Sequence, residues 1–109
     1  MAEEVVVSPR IPIDRARIAE FCVQNGIRRL ALFGSVLRED FGPESDVDVL
    51  VEFEPDRRVG FFALARLERD LGAIVGRRVD LRTAEDLSRY FRDEVVAAAA
   101  VQYEAGVAA

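Results

Sequence analysis

Histidine and lysine are both absent from this 109-residue chain, tryptophan is absent, and cysteine occurs once. Each gap removes a class of chemistry. Without His there is no Ser-His-Asp triad and no His-ligated zinc centre. Without Lys there is no Schiff-base nucleophile and no phosphate loop ending in Gly-Lys. A single Cys cannot close an internal disulfide, which argues against the disulfide framework of a small secreted domain. The longest apolar run, Val95 to Val101, is far too short to cross a bilayer. The opening residues, MAEEVVVSPR, carry no apolar signal core. A soluble, cytoplasmic protein with no membrane contact is the expectation. The formal charge of −5 argues against strong direct nucleic-acid binding through phosphate contacts.

What remains is carboxylates, hydroxyls, arginines and backbone amides, with room for a hard metal ion. The chain is 50% hydrophobic and 32% charged, as a single globular domain requires. Residues 1–12 read as a loosely tied lead-in with a possible edge strand, residues 13–104 as the domain, and residues 105–109 as a frayed end. The spacing of Ile18, Phe21 and Cys22 predicts a helix over 14–25, stopped by Gly26. Cys22 is expected to be a core residue. "RRLALF" predicts a buried strand ending at Gly34, with Ser35 as N-cap of a short helix through "VLRED".

"FGPES" is turn chemistry, and "DVDVLVEFE" is a second strand. A helix over 61–75 is expected to turn Phe61, Leu64, Ala65, Leu67, Leu71 and Ile74 toward the core. "RRVDLR" predicts a third strand, Thr83 and Asp86 a capping pair, and "RDEVVAAAAVQYE" a last helix. The pairs Arg28-Arg29, Arg57-Arg58 and Arg77-Arg78 read as solvated loop ends. The fold class is α/β (α+β), a small mixed sheet of three to four strands with helices packed on it.

Topology brings chemistry to one edge. Eleven residues separate Gly34 from Asp46, short for a parallel crossover, so the first two strands are expected to pair antiparallel. The helical connection to the third strand is a parallel crossover that can set Asp80 beside Asp48. Asp46 and Asp48, two apart on a strand, point the same way and repel unless a cation lies between them. An exposed, inert strand start is the simpler reading of those two residues alone, and Asp80 could instead pair with Arg78 or Arg82. Clustered carboxylates without His suit Mg²⁺, and a pair of such ions supports phosphoryl chemistry. Gly34 allows close backbone approach to phosphate, and Arg38 could help neutralise an anionic ligand.

Gly34-Ser35, ten residues, then Asp46-x-Asp48, with Asp80 downstream, resembles the signature of the DNA polymerase beta-like nucleotidyltransferase superfamily. At this length it is most similar to the minimal nucleotidyltransferase (MNT) group, over about Ile18 to Tyr103. The resemblance implies a polymerase beta-like core in which Gly34 and Ser35 hold the triphosphate. It implies that Asp46 and Asp48 bind metal, with two Mg²⁺ ions expected, and that Asp80 assists both metal binding and activation of the acceptor hydroxyl. Many members are antitoxins of HEPN-domain RNase toxins, so the expected activity is AMP transfer from ATP to a toxin tyrosine. Two rivals stay open: an antitoxin that neutralises by binding alone, and a nucleotidyltransferase acting on a small molecule.

Overall fold

A computed structural model describes residues 11–38 and 41–106. Most of the lead-in and the last three residues lie outside the described residues, as do Glu39 and Asp40. Helix α1 (Arg15–Gln24) starts where the Asp14 side chain accepts the Arg17 N–H at 3.1 Å, and it buries Ile18, Phe21 and Cys22. Gly26, at φ 67°, turns the chain into strand β1 (Ile27–Phe33). A 3-10 turn (Gly34–Leu37) and a loop lead to β2 (Val47–Phe53), helix α2 (Phe61–Val75) and β3 (Val79–Arg82). A second 3-10 turn (Ala84–Asp86), helix α3 (Arg92–Ala98) and β4 (Ala100–Glu104) complete the chain.

The four strands form one mixed sheet in the order β3-β2-β1-β4. β1 runs antiparallel to β2 and to β4, whereas β2 and β3 are parallel, as the connection lengths require. Alternation along the strands divides the sheet into two faces. Val47, Val49, Val51, Val79 and Leu81 join Leu30 and Leu32 in a core closed by Ile18, Phe21, Leu67 and Leu71 of the two long helices. Residues of opposite parity, including Asp48, Asp80 and Arg82, stand on the other face. Further along that face, Ala31 and Leu50 are buried at the floor of a cleft that Thr83 and Val96 also line. Among the described residues no helix is long and apolar enough to cross a membrane.

Three expectations require correction. Phe61 is 79% exposed and Ala65 is also exposed, so neither belongs to the core face of α2. At about 100° per residue, both lie well around the axis from the stripe formed by Leu64, Leu67, Leu71 and Ile74. Ser35 does not cap a helix that continues past Leu37. Gly34, at φ 73°, reverses the chain one residue earlier, so Phe33 takes the capping position and Ser35 sits inside a four-residue turn. The last helix stops at Ala98, and residues 100–104 form a strand instead. The free edge of β1 recruits them, pairing Leu30 with Tyr103 and Leu32 with Ala100, and tertiary pairing overrides the helical preference of the alanines.

The other local readings agree with the structure. α2 ends at Gly76, which is left-handed at φ 73°. Asp86 Oδ2 accepts from the Thr83 N–H at 3.0 Å and from its hydroxyl at 3.1 Å, although the pair opens a 3-10 turn rather than a long helix. Cys22 is fully buried, and burial pushes its thiol up to about 12, which leaves it inert.

Candidate active site

The site grows out of strand register. Asp48 on β2 is paired with Asp80 on β3, and with Phe33 on its other side, the last residue of β1. Gly34 therefore sits directly against Asp48. A Cβ on Gly34 would stand 3.2 Å from the Asp48 Cγ and collide with Oδ2, and the positive φ already disfavours any other residue. Glycine is needed here for both space and backbone conformation, and the turn amides stay close to the carboxylate edge.

Each carboxylate has a different setting. Asp46 precedes β2 by one residue and faces the exposed Arg78 guanidinium at 3.8 Å. Asp80 is held by Arg82, whose Nε and Nη2 each donate to one of its oxygens at 3.2 Å. Asp48 is half-buried between them. Burial raises its carboxyl above the ordinary range, the Asp80 and Asp46 carboxylates raise it further, and Arg82 and Arg38 pull it back. Arg38 lies just past the 3-10 turn in extended backbone, rather than one turn into a helix, yet its charge still bears on Asp48.

The structure thus brings Gly34, Asp48 and Asp80 together, with Asp46, Ser35 and Arg38 at the margin. Among the described residues no three carboxylates are already drawn close enough to hold an ion between them. The donor set nonetheless suits a hard cation. It is all oxygen, and Asp48 carries an excess of negative charge that a cation would relieve. Mg²⁺ commonly takes only one or two carboxylates and completes its shell with phosphate oxygens and water.

Sequence reading missed one residue that shapes this region. Arg77, taken as a solvated loop end, donates from Nη2 to the Gly42 carbonyl at 2.7 Å and to the Ser45 carbonyl at 2.8 Å. Its guanidinium also lies 4.5 Å from the centre of the Phe41 ring. Only the phenylalanine thirty-six positions earlier hinted at such a partner, and nothing in the spacing connects them. Glu68 on α2 was likewise unremarked; its carboxylate accepts the Leu81 N–H at 2.8 Å and covers the open edge of β3. A cleft of about 610 Å³ lies further along the same face between Arg29, Leu50, Arg57 and Thr83, and none of the three aspartates lines it.

Residues 15–101 match the sequence profile of the nucleotidyltransferase domain. The chain belongs to this family. It is 41% identical over 56 residues to protein adenylyltransferase MntA of Thermococcus cleftensis, a match spanning 51% of this chain and 54% of that one. A solved structure described as a minimal nucleotidyltransferase is 34% identical, with a TM-score of 0.64 over 78% of this chain and 85% of the other. A tri-AMPylated Shewanella oneidensis HEPN toxin in complex with its MNT antitoxin contains a chain of the same fold. That likeness has a TM-score of 0.59 at 21% identity, over 83% of this chain and 69% of that one. The matched stretch contains Gly34, Ser35, Asp46, Asp48 and Asp80.

Proposed function

We propose that this nucleotidyltransferase transfers AMP from ATP to a tyrosine hydroxyl of a HEPN-domain toxin and so acts as an antitoxin in the cytoplasm. The observation that carries the reading is the register pairing of Asp48 with Asp80 beside the Gly34 turn. The relatives support the choice of acceptor: one is named a protein adenylyltransferase, and another is an antitoxin seen with its AMPylated toxin.

In this reading the amides of the Gly34-Ser35 turn hold the triphosphate, and Arg38 balances its charge. Asp46, Asp48 and Asp80 are the residues to hold Mg²⁺. When bound, the ion neutralises phosphate charge and stabilises the attacking and leaving oxygens. Asp80 orients the acceptor hydroxyl and takes its proton as that oxygen attacks the α-phosphorus. The bond to the β-phosphate breaks and pyrophosphate leaves. Because phosphoryl-type transfer needs little covalent help from protein, positioning and electrostatics provide most of the rate.

The test is to incubate the purified chain with Mg²⁺, ATP and a candidate HEPN-domain partner, then weigh both chains intact. One or more AMP units on the partner support the proposal. A stable complex with no added mass supports neutralisation by binding alone. AMP on a small molecule and not on the partner would sink the acceptor assignment.

A further inference from the structure

Asp46 lies outside β2, so no strand pairing of its own fixes where its carboxylate stands. What precedes it is a short reversal at Gly42–Ser45, closed by a Ser45 N–H to the Gly42 carbonyl at 3.1 Å and a Gly42 N–H to the Ser45 hydroxyl at 3.0 Å. Such a turn can hold its own shape while swinging as a unit. Among the described residues one side chain outside it hydrogen-bonds it to the body of the domain, and Phe41, which enters it, packs against the core. Arg77 leaves the α2–β3 connection and reaches both ends of the reversal through one nitrogen, at 2.7 and 2.8 Å, while its guanidinium rests on Phe41, the residue entering the turn. The next peptide adds a second tie, since the Val47 N–H donates to the Arg78 carbonyl at 2.8 Å.

The segment on which Arg77 sits continues into β3 and Asp80. We propose that Arg77 is a positioning residue for the reaction: a clasp that fixes the Asp46 carboxylate against Asp48 and links that loop to the strand bearing Asp80. The proposal rests on Asp46 being a ligand-binding carboxylate, as the preceding reading holds. The planar guanidinium explains why arginine occupies the position. One terminal nitrogen serves both carbonyls while the flat face of the group rests on an aromatic ring, and it is this stacking that an ammonium cannot reproduce. The Ser45 carbonyl it holds belongs to the peptide bond that leads directly into Asp46.

Two measurements separate the clasp from the reading beneath it. The first is hydrogen exchange over 41–47 without metal or nucleotide, comparing the native chain with Arg77→Met and Arg77→Lys. The clasp predicts that exchange of the 41–47 segment accelerates at least about tenfold in Arg77→Met and less in Arg77→Lys, with β1 unchanged. The second is Mn²⁺ binding by electron paramagnetic resonance, using the ion alone as probe. Native protein should bind it, and Arg77→Met should bind about 10- to 100-fold more weakly, the range typical of residues that orient metal ligands. Arg77→Lys should fall between the two, and millimolar guanidinium should restore part of the loss in Arg77→Ala. Faster exchange with unchanged Mn²⁺ affinity would overturn the positioning role. Unchanged exchange would overturn the clasp itself, and if Arg77→Met fails to fold, the same criteria apply to Arg77→Lys. Native protein that binds no Mn²⁺, either alone or with a non-hydrolysable ATP analogue present, would instead refute the reading of Asp46, whatever the exchange shows.

Discussion

The two faces of the sheet use neighbouring residues of the same strands for opposite ends. On one face Val47, Val49, Val79 and Leu81 lie in a closed core under α1 and α2. On the other, one residue along, Asp48 and Asp80 stand side by side with like charge. The covered face gains stability from apolar burial, and the open face gives some of it up by setting like charges side by side. The comparison predicts that damage to the two faces should separate cleanly into loss of fold and loss of reaction.

The largest separation is expected from Asp48→Asn, which should lower AMP transfer by on the order of 10³-fold while circular dichroism stays native. Transfer within threefold of native would collapse the distinction between the faces. Leu71→Ala, on the covered side and 1% exposed, should do the reverse. It should lose about 2–5 kcal/mol of stability in urea unfolding, with the folded fraction still transferring AMP at nearly the native rate.

Gly34→Ala should show both effects, because that residue touches the carboxylate and sets the backbone. A fall of about 10²-fold in transfer and a loss of about 1 kcal/mol are expected, since the Cβ displaces Asp48 and the positive φ becomes strained. Normal activity in this variant would mean that the close approach has no catalytic importance.

The smallest effect carries the sharpest sign. The folded Asp48 carboxyl is raised, so its ionised form destabilises the native state relative to the unfolded chain. Its contribution is fully favourable below the unfolded carboxyl value of about 3.9 and is lost as pH rises through the folded value. Asp48→Asn should therefore be more stable than native at pH 7, by under about 1 kcal/mol because solvent screens this half-exposed group. Urea midpoints should show the gap closing as pH falls toward 4. A variant less stable than native at pH 7 would show that Asp48 supports the fold rather than burdening it.

Legibility followed the same division. The covered face could be read because it rests on periodicity, and both long helices and the first three strands were found within a residue or two. Connection lengths and strand alternation allowed Asp80 to stand beside Asp48, and the register of β2 with β3 makes the pairing. The C-terminal segment failed because Val95 to Val101 is compatible with helix or strand, and only the free edge of β1 decides between them. Phe61 was misplaced because its hydrophobicity outweighed its angle on α2. Arg77 escaped notice because the carbonyls it binds belong to a loop more than thirty residues away, and a sequence does not show which main-chain groups lack partners. The triphosphate role given to Ser35 comes from the family pattern, and the one given to Arg38 from its charge and its place just past the Gly34-Ser35 turn.

The most direct test of the central claim is a crystal structure of the protein with Mn²⁺ and a non-hydrolysable ATP analogue, locating the metal by anomalous scattering. The account predicts metal density against Asp46 and Asp48, the triphosphate over the Gly34-Ser35 turn, and Asp80 turned from Arg82 toward the site. A nucleotide bound instead in the cleft between Arg29 and Arg57, with no ion at Asp48, would contradict it.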